Sequence, residues 1–188
     1  MKKNIISIAG TLGSGKSSTA DLIAKELGYK RFSSGDFMRK IALKKGVTLN
    51  ELSILAETNP SIDIAIDDEV RKIGELENIV IDSRLAFHFI PESFKVYLDL
   101  PPEIAKNRIL NNLKENALRK QSENATTGEE IYKKIIDRLE SEKKRYKELY
   151  NIVHTDKNNY DLVIDTEKNN LQEVVQIVLD AYRKWQQK

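Results

Sequence analysis

Residues suited to phosphate binding lie near the amino terminus of this 188-residue chain. They form the pattern G-x-x-x-x-G-K-S and the serine that follows it: Gly10, Thr11, Leu12, Gly13, Ser14, Gly15, Lys16, Ser17 and Ser18. A glycine-rich turn at a helix N-terminus directs backbone N–H groups toward a polyphosphate, an arrangement known as a P-loop. The Lys16 ammonium is expected to reach the β- and γ-phosphates, and the Ser17 hydroxyl to ligate Mg²⁺.

The sequence on both sides of this pattern supplies the elements that a P-loop requires. Residues 4–9 are an apolar run typical of a buried strand, and Ala20, Ile23, Ala24 and Leu27 recur at helical spacing after the loop. A chance glycine turn before a surface helix is the alternative. The flanking strand and helix favour the P-loop.

A second potential anion site follows the next predicted strand. Ser34 and Gly35 form a turn of small residues, and Asp36 and Arg39 lie in the first turns of the helix after it. Helix N–H groups together with a bidentate guanidinium can bind a phosphate group. An ordinary helix cap followed by an exposed arginine is the alternative interpretation.

An acidic residue ends a third apolar run. Asp82 closes the run 79–82 and is followed by Ser83 and Arg84. In P-loop enzymes a carboxylate at the end of a core strand orients Mg²⁺, directly or through water. We therefore predict that Ser17 and Asp82 hold the metal.

The amino-acid composition excludes several kinds of binding partner and structural site. The chain has 31 basic and 29 acidic residues, a balance that argues against general binding of a nucleic acid polymer. It has no cysteine, which excludes disulfides and cysteine zinc sites. No apolar run approaches the ~20 residues that a membrane span needs. We expect one cytoplasmic domain that is monomeric and associates with neither nucleic acid nor a membrane.

Apolar runs alternate with helical patterns along the chain, which predicts an α/β fold with a five-stranded parallel sheet. The predicted strands are residues 4–9, 30–33, 79–82, 95–100 and 161–165. Residues 35–76 are too long for one crossover, and we assign three helices to them, over 36–45, 48–57 and 60–75. Thr48 and Glu51 form a capping box at the start of the second of these.

A second long helical region covers residues 102–150 and is interrupted near residues 122–128, where helical periodicity breaks. It carries most of the basic excess, with 12 basic against 9 acidic residues between positions 101 and 150. This pattern is typical of a mobile lid. The predicted organisation is a core of residues 1–33, 77–107 and 151–188, a helical insert at 34–76 and a lid region at 108–150.

Over essentially its full length the chain resembles the nucleoside monophosphate kinases, and most closely the cytidylate kinases of the archaeal type. The segments that carry the resemblance are residues 10–17, 34–39, 46–52, 59–67, 84–86, 138–146 and 160–166. The resemblance implies a three-layer P-loop NTPase fold with an insert that binds the nucleoside monophosphate and a helical lid. It also implies transfer of phosphate from ATP, with Mg²⁺, to CMP or dCMP.

The resemblance further implies roles for individual residues. Residues 10–18 would bind ATP, with Mg²⁺ held by Ser17 and Asp82. The catalytic group would consist of the P-loop lysine and the arginines that balance phosphate charge: Lys16, Arg84, Arg108, Arg138 and Arg145. The acceptor nucleotide would be bound by Ser34, Gly35, Asp36, Arg39, Asp63, Asp67 and Arg84, with the two aspartates of the insert near its base or ribose. A solvent-facing helix surface is the alternative for Asp63 and Asp67, which are four positions apart.

The chain departs from the family pattern in two places. Asp82-Ser83 stands where the family has Glu-Gly, so the carboxylate is one methylene shorter. Asn111 and Asn112 occupy a region that often carries a second lid arginine, and we expect Arg119 to substitute for it. Another small-molecule kinase, such as an adenylate or shikimate kinase, and a non-catalytic nucleotide-binding module are the alternative functions.

Overall fold

The structure is a computed structural model that describes residues 3–115 and 127–187. Its centre is a parallel five-stranded sheet with the strand order β2-β3-β1-β4-β5. The strands are β1 (Ile5–Gly10), β2 (Lys30–Ser33), β3 (Ile79–Asp82), β4 (Phe94–Asp99) and β5 (Leu162–Asp165). Each lies within one or two residues of its predicted position, which confirms the predicted α/β class.

The described helices alternate with these strands. They are α1 (Lys16–Leu27), α2 (Ser34–Lys45), α3 (Leu49–Thr58), α4 (Ser61–Ile73), α5 (Ala86–Phe89), α6 (Pro102–Glu115), α7 (Gly128–Tyr150) and α8 (Leu171–Gln186). The capping box that Thr48 and Glu51 form before α3 is present as predicted. The short helix α5 was not predicted, because four residues are too few to show helical periodicity. Among the described helices, none is long and apolar enough to cross a membrane.

Two apolar layers cover the sheet. Ile6 and Ile8 of β1 face a core that α1 and α8 complete, with Ile23 and Val178 fully buried in it. Ile5 points to the opposite face and packs in the cluster that includes residues of α4 and α5. Because successive side chains of a strand point to opposite faces, the unbroken apolar sequence of β1 predicts cover on both sides.

The register of the central strands determines where the polar residues meet. Asp82 pairs with Ile8 of β1 and with Ser33 of β2 in parallel ladders. The carboxyl ends of β1, β2 and β3 are therefore level, and the segments that follow them share one edge of the sheet. Ligands of open α/β sheets bind at this edge.

Helices α2, α3 and α4 lie between β2 and β3, where the sequence predicts a helical insert. They have an apolar core of their own, formed by Met38, Ala42, Leu52, Ala56, Ile62 and Ile66. Helices α6 and α7 pack together through Ala105, Ile109, Ile131 and Ile135. Most of the predicted break at residues 122–128 lies outside the described residues, so the lid and the exact borders of core, insert and lid stay predictions.

Candidate active site

The P-loop backbone has conformations that only glycine adopts readily. Gly10 has φ +146°, and a Cβ atom at this position would lie 2.3 Å from the Leu98 carbonyl oxygen of β4. Gly15 has φ 86° and precedes α1, whose N-terminus no side chain caps. The first N–H groups of α1 are thus left for an anion, as the motif requires.

The Lys16 side chain folds into this loop. Its Nζ donates hydrogen bonds to the carbonyl oxygens of Gly10 at 2.9 Å and of Thr11 at 2.6 Å. Burial, followed by the charge of Arg84, lowers the pKa of Lys16 to about 7. A bound phosphate would favour the charged ammonium and oppose both effects.

The shorter carboxylate of Asp82 reaches the P-loop serine. Ser17 Oγ donates to Asp82 Oδ2 at 2.8 Å, and Ser33 Oγ lies 3.2 Å from the same oxygen. Asp82 is buried. A hydroxyl and a carboxylate in contact are oxygen ligands of the kind that Mg²⁺ prefers, so the residues present fit the predicted metal.

Arg31 is a charged residue of the site that was not predicted from the sequence. Its guanidinium lies 2.7 Å from Asp36, 3.2 Å from Asp82 and 3.2 Å from Asp21. Asp36 in turn pairs with Arg39. Arg31 therefore links the carboxylate at the predicted metal site to the arginine predicted at the acceptor site. The alternation of β2, which places Arg31 on the same face as Ser33, is the signal that could have found it.

One open pocket collects residues from these segments. It is lined by Leu12, Gly13, Gly15, Lys16, Ser17, Ser18, Ser33, Gly35, Arg39, Asp82, Arg84 and Arg138. Ser34 lies at its edge, where its Oγ is 3.4 Å from the Asp82 carbonyl oxygen. Much of the P-loop, both predicted metal residues and the predicted acceptor residues Gly35, Arg39 and Arg84 are thus adjacent, with Arg138 contributed by α7.

Two of the predicted catalytic arginines are held elsewhere. Arg108 donates to the Thr166 carbonyl oxygen, beyond the end of β5. Arg145 is buried, and its Nε donates to Asp63 Oδ2 at 2.7 Å while its Nη1 donates to Ser141 Oγ at 2.6 Å. Neither arginine lines the pocket described above. The basic pattern of α7 does not reveal this, since a carboxylate and a phosphate attract a guanidinium equally well.

The two insert aspartates face α7 and not the pocket. Asp63 pairs with Arg145, and Asp67 Oδ2 accepts a hydrogen bond from Tyr150 Oη at 2.7 Å. Both carboxylates are buried. In this arrangement they join the insert to α7. Burial raises the pKa of each, to about 7 for Asp67.

The structure describes only part of the segment in which Asn111 and Asn112 stand where the family often has a lid arginine. Asn111 is exposed near the end of α6. The side chain of Asn112 and the whole of Arg119 lie outside the described part of the chain. The proposed substitution of Arg119 for a family arginine therefore stays a prediction.

A family model described as AAA domain matches residues 6–152. The cytidylate kinase of Methanocella arvoryzae is 36% identical over 94% of this chain and 95% of its own length. That of Archaeoglobus fulgidus is 34% identical over 94% of this chain and 93% of its own. The chain belongs to the cytidylate kinase family. An S-adenosylmethionine-dependent nucleotide dehydratase of Lacinutrix mariniflava is 34% identical, but the match covers 36% of that protein.

Solved structures agree on the fold of this cytidylate kinase family member. The shikimate kinase of Bacteroides thetaiotaomicron superposes with a TM-score of 0.65 over 95% of this chain and 98% of its own, at 16% identity. At that identity the likeness bears on the fold alone. It confirms the predicted three-layer P-loop fold.

The Asp67 carboxylate makes the stability of the protein depend on pH. Its pKa in the folded protein is about 7, against an ordinary value of 3.8, so between these pH values the folded state holds a proton that the unfolded state has lost. Stability therefore falls as pH rises through this window. We expect Asp67→Asn to raise the unfolding temperature at pH 8, by about 2 to 4 °C for each kcal/mol recovered, and to leave it unchanged near pH 4.

Asp68→Asn is the matched control, because Asp68 is on the same helix but its side chain is 53% exposed. Thermal unfolding of both variants from pH 4 to pH 8 checks the prediction. An equal shift at the two ends of the range would show that Asp67 does not titrate in this window.

Proposed function

We propose that the chain transfers the γ-phosphoryl group of ATP to CMP or dCMP. Membership of the cytidylate kinase family supports the reaction. The observation that carries the proposal is the single pocket that joins the P-loop to Arg39, Arg84 and Arg138. Two phosphate-binding groups that share one pocket suit a donor and an acceptor phosphate placed in line.

The residues of the pocket have different proposed roles, according to where they lie. The N–H groups at the start of α1 and the Lys16 ammonium would bind the β- and γ-phosphates of the donor. Arg39 and Arg84 would hold the acceptor phosphate. Ser17 and Asp82 would hold Mg²⁺, which when bound neutralises phosphate charge. Because the attacking phosphate oxygen is already anionic, the proposal includes no general base.

Stabilisation of the transferring group is assigned to Lys16, Arg84 and Arg138. These side chains line the pocket together and would face the charge that spreads over the equatorial oxygens of the transferring group. The predicted contributions of Arg108 and Arg145 are revised, because each is bonded to protein groups outside the pocket. For Arg145 we propose a supporting role, in which its ion pair with Asp63 holds the insert against α7.

The choice of cytosine depends on the family relationship. The family resemblance predicts that Asp63 and Asp67 lie near the base, but both carboxylates are engaged with α7. They give no independent support for a cytosine contact.

A coupled assay with ATP, Mg²⁺ and a panel of monophosphates tests the proposal. We expect kcat/KM to decrease from CMP or dCMP to UMP and then to AMP and GMP. A pocket that hydrogen-bonds the cytosine amine would be left with an unpaired group by uracil, which costs about tenfold to hundredfold in kcat/KM. If AMP were the best acceptor, the chain would be a monophosphate kinase of another specificity.

Lys16→Ala should lower kcat on the order of a hundredfold or more, because the ammonium acts on charge in the transition state. Thermal unfolding should change little, since Lys16 adds little to the apolar core. Lys25→Ala, at the exposed end of the same helix, is the control. Near-normal turnover of a well-folded Lys16→Ala variant would contradict the P-loop assignment.

Arg39→Ala should raise KM for the monophosphate strongly and KM for ATP weakly, because the two phosphates would occupy different parts of the pocket. Steady-state kinetics with each substrate varied separately measures the split. Lys44→Ala, an exposed cation near the end of α2, is the matched control. Equal increases in the two KM values would place Arg39 outside the acceptor site.

A further inference from the structure

A buried glutamate of α7 lies against the phosphate pocket. Glu142 is 3% exposed and was not among the residues predicted to form the site. Its Oε2 pairs with Arg84 Nε, and its Oε1 accepts a hydrogen bond from Arg138 Nε at 3.0 Å. One carboxylate thus joins two arginines that come from different parts of the chain and line the same pocket.

The Glu142 carboxylate is held in its ionised form. Burial by itself raises the pKa of a carboxyl group, but the charges of Arg84 and Arg138 outweigh burial here and lower the pKa of Glu142 to about 2. His154 Nε2 lies 4.0 Å away, and burial lowers the pKa of this imidazole to about 4, so it is neutral at pH 7. So weak a base as Glu142 is unsuited to proton transfer.

The geometry of the two ion pairs leaves the arginines able to bind phosphate. Both pairs use the Nε atom of the guanidinium. Among the described residues, no hydrogen bond is made by the terminal nitrogens of Arg84 or Arg138. A guanidinium held by Nε keeps a fixed plane and still presents N–H donors to a second anion.

Other acidic residues of α7 lack this arrangement. Glu140 is two positions away, but its side chain is 62% exposed and pairs with Lys143 on the helix surface. Such exposed ion pairs contribute little to the free energy of unfolding. Breaking a buried pair is costly because it leaves uncompensated charge, so Glu142 is expected to matter through the two cations that it holds.

We propose that Glu142 is a positioning residue, which holds the guanidiniums of Arg84 and Arg138 in the wall of the pocket with their terminal nitrogens directed toward the transferring phosphoryl group. The assignment builds on the proposed function. Glu142 contacts no nucleotide itself. It reduces the repulsion among Lys16, Arg84 and Arg138, so that these cations occupy their places before the substrates bind.

Glu142→Gln tests the proposal, because it keeps the size of the side chain and removes its charge. We expect kcat to fall about tenfold to hundredfold, by analogy with the loss of the outer partners that orient metal ligands. KM for ATP should change little, whereas KM for the acceptor should rise, because Arg84, which would also hold the acceptor phosphate, loses the carboxylate that orients it. Glu140→Gln on the same helix is the matched control and should behave as the wild type does.

Calorimetric titration of each variant with inorganic triphosphate and Mg²⁺ measures the number of intact P-loop sites per chain. This number does not depend on the acceptor. A kcat within twofold of wild type in a folded Glu142→Gln variant would overturn the proposal. So would a loss of turnover that only follows the loss of triphosphate-binding sites, because Glu142 would then be merely structural.

Glu142→Asp keeps the test decisive if Glu142→Gln does not fold. This variant preserves the charge, but its side chain is one methylene shorter, so the carboxylate moves away from Arg84 and Arg138. We therefore expect kcat to fall about tenfold, with the triphosphate affinity unchanged. A wild-type kcat in this variant would overturn the proposal. Failure of the proposed function is a separate result, seen in the wild-type chain as no turnover with any monophosphate of the panel.

Discussion

The positive charge gathered around the phosphate pocket is the constraint on which the rest of the site depends. The cations that line it in the described chain are Lys16, Arg39, Arg84 and Arg138. Like charges in a partly desolvated space repel one another strongly. Each arginine is accordingly joined to a carboxylate, with Asp36 beside Arg39 and Glu142 between the other two. The pocket retains a net positive charge for phosphate while its cations have defined positions.

Helix α7 connects the parts that bear this charge. Arg138, Glu142 and Arg145 recur every three or four residues, so they share one face of the helix. Arg138 lines the pocket and pairs with Glu142, and Arg145 reaches the insert through Asp63. The buried side of α7 is therefore partly charged, and charge pairing links the helical insert to the arginines that line the pocket.

Local features of the site could be predicted because they lie within short stretches of sequence. The P-loop, the strand before it and the helix after it are contiguous, and the capping box before α3 spans four residues. The approach of Asp82 to the P-loop could be predicted from parallel strands that end at one edge. The charged partners of Arg145 and Arg84 could not be predicted, because nothing in a helical charge pattern says which anion will face it.

The sequence by itself determined which functional motifs the chain contains and their order along it. These are a P-loop, a second anion-binding turn and a strand-terminal carboxylate, each encoded by neighbouring residues. Only the tertiary structure decided which charges pair. Asp63 and Arg145 are 82 positions apart, and Arg31 and Asp82 are 51 apart. Pairings over such separations depend on how helices and strands pack, and packing follows from burial of the apolar faces and not from the charges themselves.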